Sequence, residues 1–241
     1  MTQREQRPKT TVILAMSADG KISDIARSTG VFGSKTDYAH VEYQVAIADA
    51  VLAGAGTLRV GGTAMRVQSP ELLEQRQQQG KPPQPVQIVC SLSGDIDPKL
   101  PFFRQPVPRW LVTTEAGAVR WETQLGFDRL FHAKTDSKNI DLTAALAEIW
   151  ELGIQTIAVL GGGELIASLF AEQLIDELWL TVCPLILGGT TAPTPVDGVG
   201  FPLALAPRLE LLEVKPVEQE VFLHYRVNAP LNLNSPTVSC H

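Results

Sequence analysis

A run of three glycines is the first feature of this sequence that could bind a ligand. Gly161-Gly162-Gly163 follows an apolar stretch and precedes Glu164 and Leu165, where a helical pattern begins. Glycine lets the main chain approach a ligand closely, and the first N–H groups of a helix attract anions. The turn could therefore hold the diphosphate of a cofactor. A tight turn that needs glycine only for its dihedral angles explains the same residues equally well.

A second glycine-rich stretch, residues 54–57, also follows a short apolar run. The hydroxyl of Thr57 could donate to a phosphate or cap the segment that follows. Neither glycine stretch matches the GxGxxG dinucleotide fingerprint or the GxxxxGK[ST] phosphate loop. Two glycine turns at the ends of parallel strands favour one ligand that lies across the strand ends.

A polar loop, residues 17–21, follows the first apolar run of the chain. Loops at the carboxyl ends of strands are the usual place for site residues in open α/β sheets. Asp19 could orient an amine or a ribose hydroxyl, and Lys21 could neutralise a phosphate. The alternative is an ordinary β-turn, because Asp-Gly is a common turn dipeptide.

Other chemistries find little support in the composition. The net charge is −6 and no segment concentrates Lys or Arg, so we expect no nucleic-acid partner. The four histidines lie far apart and the three cysteines form no CxxC pair, so we expect no metal site. No GxSxG motif is present. Neither a signal peptide nor a membrane span is indicated, which predicts a cytoplasmic protein with reduced thiols.

The elements that would position these residues form an α/β pattern. The clearest unit is a strand at Thr156–Leu160, a helix at Glu164–Leu174 and a strand at Asp176–Cys183, which is a βαβ crossover. Two late strands, Arg208–Val214 and Val221–Val227, predict an antiparallel hairpin. We therefore expect a mostly parallel central sheet with an antiparallel C-terminal edge.

The remaining elements complete one domain over residues 10–228, with disordered tails at 1–9 and 229–241. Residues 67–86 are rich in Pro and Gln and predict a polar surface insertion. The other expected strands and helices are Thr10–Ala15, 36–50 (helix), Ala50–Gly54, Pro85–Cys90, Arg109–Thr113, Asp128–Phe131 and Asp141–Leu152 (helix).

Three stretches in this order carry a resemblance to a known family: AMSADGKIS (15–23), AVLAGAGTL (50–58) and VLGGGELIASLFAEQLIDELWLTVCPLILGG (159–189). Together they resemble the C-terminal reductase domain of the bifunctional riboflavin-biosynthesis deaminase/reductase, over roughly residues 10–227. The resemblance implies a dihydrofolate-reductase-like three-layer α/β/α fold and a homodimer. It also implies a 5-amino-6-(5-phosphoribosylamino)uracil reductase, in which NADPH delivers hydride to the ribose C1′ carbon of a pyrimidine ribosyl phosphate.

The resemblance also implies roles for individual residues. Ala15 and Ser17 would line the nicotinamide end, and Asp19 would lie at the reacting centre. The rest of the cofactor would be bound by Thr57, Ser91, Gly161, Gly162, Gly163, Glu164 and Leu165. Beyond the resemblance, we expect Lys21 beside Asp19 at the catalytic site and Arg59 and Gly61 beside the cofactor, where Arg59 could recognise a 2′-phosphate. Arg66, or Arg59, could supply the charge for the phosphate of the substrate.

The chain departs from the family pattern on both sides of the expected site. Val60-Gly61-Gly62-Thr63 stands where the family has A-D-D-P, and Leu160 stands where it often has Glu. Val31 and Val45 replace a tryptophan and a basic residue that bind the pyrimidine phosphate. Two alternative hypotheses therefore remain for the function. The protein could be a reductase of another heterocycle, for example a pterin-like one, or a non-catalytic NADP-binding protein.

Overall fold

The computed structural model describes residues 6–28, 32–132 and 140–228. Nine strands of this part form one sheet, in the order β5-β4-β3-β2-β6-β1-β7-β9-β8. The strands are β1 (Lys9–Ser17), β2 (Ala50–Gly54), β3 (Val86–Ser91), β4 (Arg109–Thr113), β5 (Arg129–Phe131), β6 (Thr156–Val159), β7 (Glu177–Cys183), β8 (Arg208–Val217) and β9 (Glu220–Asn228).

Helices cover both faces of the sheet. They are α1 (Lys35–Ile47), α2 (Ala55–Gly61), α3 (Pro70–Gln78), α4 (Glu115–Glu122), α5 (Leu142–Glu151) and α6 (Gly163–Ala171). In β1, Val12 and Leu14 pack with α5 and α6 on one face, whereas Ile13 packs with α1 on the other. Successive side chains of a strand point to opposite faces, so an uninterrupted apolar strand serves a sheet that is buried on both sides.

The pairing of the strands confirms the predicted sheet. From β5 to β7 all neighbours are parallel, and β9 and β8 then add an antiparallel edge. The chain leaves β1, β2, β3 and β6 at the same edge of the sheet, as parallel strands require. The polar and glycine-rich stretches that follow these strands are thereby brought to one place.

Helix ends agree closely with the sequence. Asp141 caps α5 by accepting from the Ala144 N–H at 2.9 Å, and Gly153 follows the helix with φ of +88°. A left-handed residue after a helix is normally glycine because it lacks the Cβ that would clash. The two predicted features of this helix, its cap and its terminating glycine, are confirmed.

The structure differs from the prediction between residues 67 and 86. This segment is not simply a surface insertion, because it contains α3, whose Arg76 side chain is only 1% exposed. Arg76 donates to the carbonyls of Ala46 and Ala48 at 2.6 and 2.7 Å, at the end of α1. The sequence did not predict this role, because a buried arginine that binds main-chain carbonyls adds no apolar residue to the helical pattern.

The first described residues also differ from the expected tail. The strand β1 begins at Lys9, and the buried Arg7 forms two hydrogen bonds of 2.7 Å with the Asp176 carboxylate. Residues 1–5 and 229–241 lie outside the described residues. No helix in the described ranges is long and apolar enough to cross a membrane.

Candidate active site

A cavity of about 1220 Å³ opens at the carboxyl ends of β1, β2, β3 and β6. Typical small-molecule pockets occupy about 300 to 1,000 Å³, so this one has room for a cofactor and a substrate together. Most of the site residues expected from the sequence line it: Ala15, Thr57, Arg59, Gly61, Arg66, Ser91, Gly161, Gly162, Gly163, Glu164 and Leu165. We call the part around the three glycines and α2 the cofactor side, and the part around the start of α1 the substrate side.

The three-glycine turn on the cofactor side joins two neighbouring strands. Gly161 has φ of +117°, which a residue with a Cβ rarely adopts. Its carbonyl accepts from the Gly54 N–H at 3.0 Å, and the Thr57 hydroxyl accepts from the Gly162 N–H at 2.9 Å. These bonds fix the turn after β6 against the turn after β2, so the two glycine-rich stretches form one surface.

The amino end of α6 is well suited to an anion. Gly162 is its N-cap and supplies no side-chain hydrogen bond, so no cap side chain satisfies the first N–H groups of the helix. Gly163 packs tightly on the other side, since a Cβ there would lie 2.4 Å from both the Thr194 carbonyl oxygen and Oδ2 of Asp197. An uncapped helix end beside residues without side chains fits the diphosphate of a nicotinamide cofactor.

The outer part of the cofactor side carries one positive charge. Arg59, in the last turn of α2, lines the cavity near Ser91 and donates from Nη2 to the Asp95 carbonyl at 2.7 Å. That bond uses one of five guanidinium donors, so the others remain for a ligand. Gly61 lines the same region, where the missing acidic residue of the family pattern would stand.

The loop after β1 has a structural organisation of its own. The buried Ser17 hydroxyl donates to the Asp19 carboxylate at 2.6 Å and accepts from the Lys21 N–H at 2.9 Å. Asp19 also accepts from the N–H groups of Leu187 and Gly188, at 3.0 and 2.7 Å. The Ser17 hydroxyl and these N–H groups lower the pKa of Asp19 to about 2.

The residues expected at the nicotinamide end and at the reacting centre differ in whether they line the cavity. Ala15 lines the cavity, but Ser17, Asp19 and Lys21 are not among the described residues that do. The Asp19 carboxylate instead holds the loop after β1 against the segment after β7. A catalytic role for Asp19 and Lys21 remains a prediction without support from this geometry.

The positions that depart from the family pattern are spread over the molecule. Leu160 lines the cavity at the end of β6. Val45 is fully buried in the core on α1, and Val31 lies outside the described residues. Within the ranges described, no group of three or more His, Cys, Asp or Glu side chains could hold a metal ion.

Sequence reasoning missed two charged residues on the substrate side. Arg27 and Asp37 both line the cavity, together with the expected Arg66. Asp37 is 4% exposed, and burial, with a smaller contribution from the nearby Glu220 carboxylate, raises its pKa, while the Thr181 hydroxyl acts in the opposite direction. A buried carboxyl group with a shifted pKa in a cavity is a candidate for a functional residue. The sequence offered only a faint signal, an acid three residues after Ser34 at a helix start.

Comparison with known proteins identifies the family of this chain. The family model described as the RibD C-terminal domain matches residues 8–223. A 2,5-diamino-6-ribosylamino-4(3H)-pyrimidinone 5′-phosphate reductase of Archaeoglobus fulgidus is 30% identical over 203 residues, covering 81% of this chain and 89% of that protein. The protein with the same name in Methanothermobacter thermautotrophicus is 26% identical, covering 92% of this chain and 99% of that one.

A solved structure extends the likeness to the fold. The crystal structure of a pyrimidine reductase-like protein from Corynebacterium diphtheriae superimposes with a TM-score of 0.78. The two chains are 20% identical, and 95% of each is covered. With a family model over nearly all of its length and a relative of 30% identity, this chain belongs to the RibD C-terminal domain family of reductases.

Proposed function

We propose that this protein is a riboflavin-pathway reductase that converts the ribosylamino group of a pyrimidine 5′-phosphate into a ribitylamino group, with NADPH as reductant. The observation that carries the proposal is the cavity itself, in which an uncapped helix end and a buried carboxyl group open into the same space. The names of the relatives from Archaeoglobus and Methanothermobacter support the substrate class.

The reaction requires a hydride and a proton. A bound nicotinamide would supply the hydride, which forms a new C–H bond at C1′. The bond between C1′ and the ring oxygen O4′ breaks, and O4′ takes up a proton to become a hydroxyl of the ribityl chain. The task of the protein is to align the two ligands and to hold the phosphate far from the reacting carbon.

The cofactor side contains residues suited to that alignment. The N–H groups at the start of α6 would bind the diphosphate, and Ala15 leaves space for the nicotinamide near β1. Arg59 lies at the outer part, where a 2′-phosphate would give it a bidentate partner and would favour NADPH over NADH.

The substrate side contains two guanidinium groups for the 5′-phosphate. Arg66 lies two residues from Gln68, whose amide donates to the Tyr38 hydroxyl on α1 at 3.0 Å, so Arg66 belongs to this side. Arg27 lines the same part of the cavity. We expect Arg66→Ala and Arg27→Ala each to raise the KM about tenfold with little change in NADPH affinity, because each removes a charge-assisted phosphate contact.

Substrate-dependent oxidation of NADPH tests the proposed function. The ribosylaminopyrimidine phosphates would be supplied in both forms, with an amino or an oxo group at C2, and loss of nicotinamide absorbance would be followed. Turnover of either form supports the proposal. Tight NADPH binding without turnover of either form would contradict it, and would favour another heterocycle or a non-catalytic NADP-binding role.

A cytoplasmic homodimer also remains part of the proposal. β7 is paired on both sides within one chain, by β1 and β9, so its main chain is not available to a partner. The edge strand β8 carries exposed Leu209, Leu211 and Val214 and is where a second copy would bind. Light scattering of Leu211→Lys should show a monomer if this is correct, and an unchanged dimer would exclude β8.

A further inference from the structure

Two buried carboxyl groups lie close together beside the cavity, and they differ in their partners. Glu220, on β9, accepts from the Ser34 N–H at 2.8 Å and from the Ser34 hydroxyl at 2.6 Å. The Oδ1 atom of Asp37 is buried without any hydrogen-bond partner in the described parts of the chain. The first carboxylate has a structural role at the start of α1, whereas the second has a capacity for hydrogen bonding that the fold does not use.

The local sequence would normally give the Asp37 carboxyl group a hydrogen-bond partner. Ser34-Lys35-Thr36-Asp37 has the pattern of a capping box, in which the acid would accept from the N–H of the serine. Only half of the box forms: the Ser34 hydroxyl accepts from the Asp37 N–H at 3.1 Å. Glu220 binds the Ser34 N–H instead, so the Asp37 carboxyl group is not engaged in the helix cap and lines the cavity beside the Thr181 hydroxyl.

The surroundings of Asp37 suit a flat heterocycle. Phe32 and Val41 line the cavity beside it, and Gly33 provides the space for the carboxyl group, since a Cβ there would lie 2.2 Å from Oδ2. A buried carboxyl group with an unused oxygen is costly to the fold, which the raised pKa reflects. A ligand that donates N–H groups to both oxygens would remove that cost.

We propose that Asp37 is the specificity-determining residue for the pyrimidine, and that its carboxylate accepts from a ring N–H and the adjacent 2-amino group. The inference rests on the proposed function. The substrate of this chain is then the 2,5-diaminopyrimidinone and not the uracil. Hydrolytic removal of the 2-amino group must in that case follow the reduction, because this reductase takes a substrate that still carries it.

The hydrogen-bond donors and acceptors of the two pyrimidines explain the proposed preference for the diaminopyrimidinone. A 2-amino-4-pyrimidinone presents two N–H donors side by side, which a carboxylate can accept together. In the uracil the amino donor is replaced by the C2 carbonyl oxygen, an acceptor that would face an oxygen of Asp37. A site that hydrogen-bonds a group of its substrate strongly rejects an analogue that lacks this group. An apolar pocket discriminates much less between substrates of slightly different shape.

Replacing Asp37 by asparagine should shift the substrate preference from the diaminopyrimidinone toward the uracil. Asparagine offers one acceptor and one donor, which complements the N–H and the C2 carbonyl of the uracil. We expect the wild-type protein to have a kcat/KM at least about tenfold higher for the diamino substrate, and Asp37→Asn to shift that ratio at least about tenfold toward the uracil. The dissociation constant of NADPH should stay the same in both proteins.

Two further variants make the test specific. Gly33→Ala places a methyl group against the Asp37 carboxyl group and should reduce the preference while the aspartate is retained. Asp141→Asn, at the distant cap of α5, should leave the ratio unchanged. Melting temperatures of all variants would establish that the folded proteins are compared.

The possible outcomes separate the inference from the proposed function. Turnover of both substrates with the same ratio in wild type and Asp37→Asn, or a wild-type preference for the uracil, would overturn the role of Asp37 and leave the reductase intact. If the wild-type protein reduces neither substrate, the proposed function fails and the inference fails with it.

Discussion

The two sides of the cavity offer different kinds of groups to a ligand. The cofactor side offers main-chain groups: the N–H groups at the start of α6 and the glycine turn, which is fixed by bonds between Gly161, Gly54, Gly162 and Thr57. The substrate side offers charged side chains, Arg27, Arg66 and Asp37, on loops and on the first turn of α1.

This difference indicates how cofactor binding and substrate binding would each respond to substitutions. A site formed by main-chain groups depends on backbone shape, so it is sensitive mainly to substitutions that change the backbone conformation. A site formed by side chains can be altered by single substitutions. Substitutions on the two sides can therefore show whether cofactor binding depends on backbone shape and substrate binding on individual charges.

The largest effect is expected from Gly161→Ala. Its φ of +117° is strained for any residue with a Cβ, at a cost of about 1 to 3 kcal/mol, and relaxation would misplace the N–H groups of the turn. We expect NADPH to bind about 30- to 100-fold more weakly by fluorescence titration.

Gly153→Ala is the matched control for that change. Gly153 also has a positive φ, of +88°, but it ends α5 away from the cavity and has open space around its Cα. It should lower the melting temperature without weakening NADPH binding. Equal losses of NADPH affinity in the two variants would show that strain alone, and not the turn, is responsible.

Arg59→Ala should have the next largest effect, and only on NADPH. Loss of charge-assisted contacts worth about 1.5 to 2 kcal/mol predicts about 10- to 30-fold weaker binding of NADPH, with NADH unaffected. Arg120→Ala is the control, because Arg120 approaches the same Asp95 at 3.6 Å from the exposed surface. An unchanged preference for NADPH over NADH in Arg59→Ala would refute the assignment of Arg59.

A smaller effect is expected from Thr57→Val, which removes the acceptor of the Gly162 N–H. One hydrogen bond of about 1 kcal/mol predicts about fivefold weaker NADPH binding. Thr57→Ser keeps the hydroxyl and should bind NADPH as the wild type does. If valine and serine behave alike in this titration, the hydrogen bond between the two turns does not matter for the cofactor.

The smallest effect concerns stability, and it should have a characteristic pH dependence. Because burial raises the pKa of Asp37, folding binds its proton, and the folded state loses stability as pH rises from the ordinary pKa of the acid to the raised one. Asp37→Asn should therefore be more stable than wild type in urea denaturation at pH 7, and the difference should shrink toward pH 4. A variant less stable at pH 7 would contradict this account.

Much of the fold and of the cofactor side could be predicted from the sequence, for a physical reason. Apolar strands, the cap at Asp141 and the glycines 161–163 are local signals, each readable within a few residues. The bond between Thr57 and Gly162 spans 105 positions, but both residues follow predicted strands, so their meeting at one edge of the sheet was foreseeable.

The substrate side was not predictable in the same way. Asp37 differs from any other acid near a helix start only because Glu220, far along the chain, binds the N–H that Asp37 would otherwise have bound. Asp19 shows the converse, since its motif is local but its partners Leu187 and Gly188 lie across the structure. A side chain that depends on distant partners cannot be assigned from spacing alone.

The central claim is that one cavity holds the nicotinamide and the ribosylamino carbon together. Transfer of deuterium tests it most directly: NADPH carrying deuterium at C4 of the nicotinamide would be incubated with the diaminopyrimidinone substrate, and the product examined by mass spectrometry and NMR. We predict one deuterium at C1′ of the ribityl chain from one of the two C4 epimers of the cofactor, and none from the other. A reduced product without deuterium from either epimer, or no reduced product at all, would contradict the account.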